Sequence, residues 1–192
     1  NHRLCQGLSD GFGEPANAVI PSCGRGLCPP PCGAGGAGVT PLGLQHFSTQ
    51  REIPQSRDLV LDLVSDVAAY PRFIPWIKAV RLWARRETPP KTSFSAEAII
   101  GFRLLTERFA TSVERDQTLG TVTTKLIQGP FRALDCKWTI TPMNTGCSVD
   151  FEIDYEFSNP ILATLLAANF GKAVGKLMDA FETEAARREG AR

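Results

Sequence analysis

From about Pro160 to Arg188 the chain carries a pattern that suits a helix and little else. Leu162, Leu166, Phe170, Val174, Leu177, Phe181 and Ala185 recur at spacings of four and three, which gathers them on one face of a 3.6-residue period. Lys172, Lys176, Asp179 and Glu182 fall on the opposite face. Asn159 is placed to cap the helix, and Pro160 stands at the first helical position, where its missing N–H costs nothing. An apolar face nearly thirty residues long needs a wide partner. A helix that long, covered only on one side, sets the architecture of everything before it.

The partner is legible upstream. Strand-like segments run over Val80 to Arg86, Ser93 to Phe102, Leu105 to Val113, Val122 to Leu126, Leu134 to Ile140 and Cys147 to Phe157, with His46 to Ile53 as a first strand. In the last of them Cys147, Val149, Phe151, Ile153, Tyr155 and Phe157 alternate with Ser148, Asp150, Glu152, Asp154 and Glu156, so one face is dry and the other wet. Short turns such as Asp116 to Gly120 and Asn144-Thr145-Gly146 join them, which excludes a parallel sheet with helical crossovers. Ser56 or Asp58 is expected to cap a short helix bearing Leu59, Leu63, Val64 and Val67. After it, Tyr70-Pro71-Arg72-Phe73-Ile74-Pro75-Trp76 crowds aromatics onto a connector that two prolines keep from being a continuous helix. The expected fold is α+β: about seven curved antiparallel strands around a long C-terminal helix, with two short helical pieces after strand 1.

Residues Asn1 to Gly43 differ in texture, holding ten of seventeen glycines, six of fourteen prolines and four of six cysteines. Such a composition cannot bury enough apolar surface to offset its ordering entropy, so the segment is expected to be disordered, and sequence upstream of a genuine start would read the same way. Cys5, Cys23, Cys28 and Cys32 lack the paired two-residue spacing of the strong zinc signatures. The domain proper is therefore placed at residues 44 to 192.

The formal charge of +1, with no long basic run, argues against a nonspecific grip on nucleic acid, and no DNA partner is expected. No apolar run approaches the roughly 20 residues of a bilayer span. His2 and His46, the two histidines, lie outside the expected cavity, and Cys136 and Cys147 point inward as small hydrophobes, so no general base or nucleophile is offered.

The connector from Tyr70 to Trp76, the break Gly129-Pro130-Phe131 followed by Leu134 and Trp138, and the run Phe151 to Phe157 together resemble the coenzyme Q-binding branch of the START-like (helix-grip, polyketide cyclase/dehydrase) family, a branch that also includes a bacterial ribosome-association toxin. The resemblance covers about Phe47 to Glu189 and leaves Asn1 to Gly43 unexplained. It implies a hydrophobic tunnel holding ubiquinone or a similar polyprenyl lipid, as carrier or chaperone in respiratory electron transport, with no catalysis and no catalytic cofactor. It also permits a second partner, a ribosomal subunit, for which Arg81, Arg85, Arg86 and Lys91 form the one local basic cluster, or else a solvated edge. The wider superfamily's aromatases and cyclases make an enzyme the weakest reading.

Within that frame the candidate ligand-binding residues are Phe73, Trp76, Phe94, Phe109, Phe131, Trp138, Phe157, Phe170, Val174, Leu177 and Phe181, with Glu107 as an inward polar hook. Phe73 and Trp76 are either lid or ordinary core, and Phe131 shares the ambiguity. Phe94, Phe109, Trp138, Phe151 and Phe157 incline toward core. Alternation with Leu105 and Phe109 turns Glu107 inward unless a bulge releases it to water. Gly171 and Gly175 each cost a helix interior about 1 kcal/mol against alanine, so a close approach, a ligand or a loose margin must account for them. The expected location is the bacterial cytoplasm with transient contact at the inner membrane. A mitochondrial inner-membrane home is the alternative, although Arg3 and Arg25 alone make a poor transit peptide. Removing residues 1 to 43 is expected to leave the thermal midpoint of the remaining domain unchanged, as measured by circular dichroism.

Overall fold

The structure, a computed structural model, describes residues 43–102, 105–167 and 169–191. The expected disorder of residues 1 to 43 and the four cysteines there fall outside the described residues, apart from Gly43 itself. The elements follow in the order β1 (Gln45–Ile53), α1 (Arg57–Ser65), a 3-10 turn (Val67–Ala69), α2 (Tyr70–Phe73), β2 (Ile77–Thr88), β3 (Lys91–Phe102), β4 (Leu105–Asp116), β5 (Thr121–Gln128), β6 (Phe131–Met143), β7 (Gly146–Phe157), α3 (Pro160–Ala167) and α4 (Phe170–Gly190).

All seven strands form one antiparallel sheet in the order β1-β7-β6-β5-β4-β3-β2. Strands β2 to β7 are a plain meander, each paired with the next. β1, first in the chain, crosses to pair with the last strand, Gln45 opposite Tyr155 and Ile53 opposite Cys147. The period-two alternation fixes this register, because a slip of one residue would turn Phe47 and Ile53 out to water. At the β6–β7 turn Gly146 has φ +118°, and a Cβ there would stand 2.2 Å from the Ile53 carbonyl oxygen. Only glycine fits, since β1 ends hard against that turn.

One expectation needs correction. The C-terminal stretch is two helices rather than one, with a break between Ala167 and Phe170. Asn159 does cap the first, its Oδ1 accepting from the Ile161 N–H at 2.8 Å. Asn169 precedes the second, at a position where the 3.6-residue pattern gives no hint of interruption. The apolar face nonetheless continues, with Val174, Met178, Phe181 and Ala185 buried and Lys172, Lys176 and Asp179 exposed.

The main core lies where α1 and the C-terminal half of α4 meet one end of the sheet. Ser56 caps α1 through its Oγ, and Leu59, Val60, Leu61, Leu63 and Val64 pack with Ile53, Val122, Ile140, Cys147 and Val149. α4 adds Val174, Met178, Phe181 and Ala185. A polar clamp locks this end: Glu184, buried, accepts from Arg187 and Arg188, and Arg188 also reaches Asp66 just beyond α1 at 2.9 Å. A carboxylate in so little water needs such partners.

Two outcomes are expected of this end. Phe181→Ala should cost about 3–5 kcal/mol in urea unfolding, the range for deleting a fully enclosed ring. The arginines hold the Glu184 carboxyl down at about 2, below its ordinary 4.5. Its depressed folded pKa means the contribution is fully present above pH 4.5 and is lost as pH falls toward 2, on the order of 2 kcal/mol. Glu184→Gln should flatten the fall in stability between pH 5 and pH 2.5, measured by urea midpoints.

Candidate functional site

The concave face of the sheet is read directly from the pairing. Across β2, β3 and β4 the inward residues form rows: Ile77, Ile100 and Glu107, then Val80, Ala98 and Phe109, then Leu82, Ala96 and Thr111. β5 continues with Val122, Thr124 and Leu126, β6 with Leu134, Cys136 and Trp138, and β7 with Ile153 and Tyr155. Over these rows the face is apolar apart from a few hydroxyls, the Cys136 thiol and the Glu107 carboxylate.

Aromatic rings hold α4 over this face at two places. Near its C-terminal half, Phe181 meets Tyr70 and Phe73 at 5.3 Å each and Trp138 at 5.0 Å, and Trp138 in turn lies 4.5 Å from Phe151. At its first residue, Phe170 stacks on Tyr155 at 4.0 Å and meets Phe47 edge-on at 5.9 Å. From Tyr155 the chain of rings goes on through Phe157 and Phe131 to Phe109. Eleven residues separate Phe170 from Phe181, roughly 16 Å along the helix axis at 1.5 Å per residue. The backbones that approach α4 most closely are those of α1, α2 and β1, at the edges of the arrangement.

Cover over the inner face is uneven: Val174 and Met178, between the two aromatic supports, are buried, while other inward residues are less so. Ile77, Val80, Leu82, Ile100, Leu126, Leu134, Cys136 and Ile153 all face inward and are all only half-buried. Water therefore reaches part of the inner apolar wall, although Ile77, Leu82, Cys136, Leu134 and Ile153 also pack against the core. On the helix, Leu177 is half-buried, and a Cβ at Gly175 would meet nothing within 4 Å. A Cβ at Gly171 would touch the Phe47 ring at 3.4 Å, an ordinary contact. Gly175 is thus the loose margin, and Gly171 lies against a neighbour.

The candidate residues divide accordingly. Phe94, Trp138, Phe157, Val174 and Phe181 are 2–7% exposed and are enclosed by the protein's own side chains, the core alternative weighed above for the first three. Phe73, Trp76, Phe109, Phe131, Phe170, Leu177 and Glu107 are half-buried. Phe73 belongs to both groups in part, since it packs on Tyr70 and Phe181. Trp76 follows the α2 turn, where its carbonyl accepts from the Gly101 N–H at 2.8 Å. The kinked connector is therefore tied to the sheet beside the Ile77 row.

Ile100, Leu134 and Ile153 are half-buried on the same face without having been singled out, whereas Tyr155 is buried under Phe170. The alternation had already turned Tyr155, Leu134 and Ile153 inward, but it cannot tell a wall from a core. Only the half-burial does that, and half-burial depends on where the helix comes to rest.

The chemistry is quiet. Burial pushes the Cys136 thiol up to about 12 and raises that of Cys147, so both stay protonated and unreactive. Tyr70, whose hydroxyl donates to the Val64 carbonyl at 2.5 Å, is raised far above its ordinary value by burial. His46 sits on the outer face, with Nδ1 2.7 Å from Asp154 Oδ1. Among the described residues no cluster of three or more His, Cys, Asp or Glu could hold a metal ion. Two concavities of about 390 and 570 Å³ lie on the outer, polar face, the first by Ser48, Gln50, Asp150 and Glu152, the second by Arg86, Ser93, Ser95, Ser112 and Lys125. Both are open dishes on the polar side of the sheet.

Known proteins resemble this chain over the same span. A curated ribosome association toxin, RatA of Rickettsia prowazekii, is 29% identical over 147 residues, covering 75% of this chain and 96% of that protein. The mitochondrial coenzyme Q-binding protein of Schizosaccharomyces pombe is 30% identical over 122 residues, covering 62% of this chain and 73% of that one. Among solved structures, an 18 kDa protein from Caulobacter crescentus superposes with a TM-score of 0.66 at 36% identity, covering 76% of this chain and 99% of its own. An aromatase/cyclase from a Streptomyces species superposes with a TM-score of 0.67 at 14% identity, covering 76% and 96%, which speaks to the fold alone. The family described as polyketide cyclase / dehydrase and lipid transport matches residues 53–182, from the end of β1 to the middle of α4. With that match spanning most of the described domain, the chain belongs to the polyketide cyclase / dehydrase and lipid transport family.

Proposed function

We propose that the protein binds ubiquinone or a similar polyprenyl lipid in the hollow between α4 and the sheet, without catalysis, as a carrier or chaperone for respiratory electron transport. The observation that carries the reading is the half-exposed apolar wall of Ile77, Ile100, Leu126, Leu134 and Ile153 beneath a helix propped on aromatic rings. Apolar side chains reached by water at the centre of a fold lose the stabilisation that full burial would give, about 25 cal/mol per Å². A greasy ligand recovers it, and flat rings such as Phe109, Phe131 and Trp76 suit a flat head group. The relative named for coenzyme Q binding supports the same ligand class.

No acid on the inner face is paired with a base among the described residues, and the thiols are held neutral, so the hollow is better suited to holding a molecule than to transforming it. No helix of the described residues is long and apolar enough to cross a membrane, which suits a protein that visits a bilayer surface to exchange lipid. The bacterial cytoplasm with transient inner-membrane contact is the location this reading carries, with the mitochondrial inner membrane as the counterpart in another cell.

A ribosome-associated role is the second reading, supported by the relatives named for it. One observation favours a surface for it: Trp83 is exposed on edge strand β2, with the Arg81 guanidinium 5.6 Å over its ring. The surrounding basic cluster is largely spent. Arg81 lies 4.0 Å from Glu97, Arg85 bonds Glu87, and Lys91 bonds Glu114, which leaves Arg86 as the member without an acidic partner among the described residues. Neutralised cations contribute little counterion release on RNA, so the lipid reading stands first.

Solvent extraction of the purified full chain followed by mass spectrometry is expected to recover a polyprenyl quinone. Adding ubiquinone from micelles should quench the fluorescence of the half-buried Trp76, and Trp76→Phe should remove most of that signal. Absence of bound lipid together with no uptake from micelles would contradict the proposal. Sucrose-gradient profiles on overexpression should show normal joining of ribosomal subunits. Accumulated free subunits, reversed by Arg86→Glu or Trp83→Ala, would move the second reading to first place.

A further inference from the structure

Among the described residues, the inner wall carries one charged side chain that the fold itself leaves idle. Glu107 of β4 pairs with Ile100 of β3, which pairs with Ile77 of β2, so the carboxylate stands in an apolar row. Two residues along, the same face presents Phe109, whose ring meets Phe131 edge-on at 5.9 Å. Glu107 is half-buried, and among the described residues it makes no hydrogen bond and no ion pair. The cations beside it in the sheet are engaged elsewhere. Lys78 donates to the Pro75 carbonyl at 2.8 Å, and Arg108, on the opposite face of β4, reaches Glu97 at 3.5 Å.

A carboxylate that has given up part of its water without gaining a donor is a cost to the folded state. The same position filled by leucine or valine would complete the wall. What offsets the cost is a donor arriving with the ligand. A carboxylate accepts hydrogen bonds and donates none, so it discriminates between two forms of one molecule. A carbonyl on the head group sets lone pairs against lone pairs. A hydroxyl supplies the missing proton, in a charge-assisted bond stronger than a neutral one.

We infer that Glu107 accepts a hydrogen bond from a ligand hydroxyl, so that the hollow prefers an apolar molecule bearing an O–H over the same molecule bearing only carbonyls. The inference rests on the proposed lipid-binding function. For a quinone-type ligand, the preferred form is the reduced hydroquinone. Binding the reduced form about tenfold more tightly would raise the two-electron potential of the bound couple by about 30 mV. The protein would then hold the form of the lipid that has already taken up its two electrons and two protons.

The test is anaerobic titration of the full chain with a short-tailed ubiquinone analogue, oxidised or chemically reduced, read by tryptophan fluorescence. Wild type is expected to bind the reduced form about tenfold more tightly, the strength of one charge-assisted bond over none. Glu107→Gln, whose carboxamide both donates and accepts, should bind the two forms about equally. Glu107→Leu should gain affinity for the oxidised form. Equal affinities in wild type, a preference for the oxidised form, or a preference that survives both substitutions would each overturn the inference while leaving lipid binding intact. Failure of wild type to bind either form would overturn it together with the lipid-binding reading.

Discussion

The structure depends on how α4 meets the sheet. A helix with one apolar face needs a broad cover, and a twisted antiparallel sheet supplies one, but a straight rod cannot touch a curved surface everywhere. Here the contact is made by rings at the two ends of the helix face, Phe181 against Tyr70, Phe73 and Trp138, and Phe170 against Tyr155 and Phe47. Aromatic side chains reach farther than aliphatic ones and hold a defined geometry, so they keep the helix at a distance without letting it slide.

The two ends of the helix do different work. Toward the C-terminus, Val174, Met178, Phe181 and Ala185 close with α1 into a core, and the Glu184–Arg188–Asp66 clamp fixes it. Toward the other end the helix breaks into α3 and α4, and the wall beneath is only half covered. The buried core lies at one end, and Trp76, Phe109, Phe131 and Glu107 are less covered. For the proposed lipid-binding role, this division lets one region move without unfolding the other.

Much of the architecture was legible in the sequence, for a physical reason: strands β3, β6 and β7 each keep one face dry, and short turns forbid any but antiparallel neighbours. The pairing of β1 with β7 was not legible, since it joins residues about a hundred positions apart and no local pattern records the partner. The break before Phe170 was missed because the apolar period runs through it unbroken. The candidate site was half legible. Alternation turned Glu107 and Phe109 inward, but it could not distinguish Trp138, which fills the core, from Leu134, which borders the hollow. That difference is set by the position of α4, a property of the assembled fold.

Methyl-resolved NMR offers the most direct check that a ligand enters between helix and sheet. With isoleucine and leucine methyls labelled, titration with ubiquinone in micelles should shift Ile77, Ile100, Leu134, Ile153 and Leu177, all of which line the inner hollow. Leu119 and Ile127, exposed elsewhere, should stay in place. Shifts confined to Leu119, Ile127 or the outer face of β2, with the inner methyls unmoved at saturating ligand, would contradict the account.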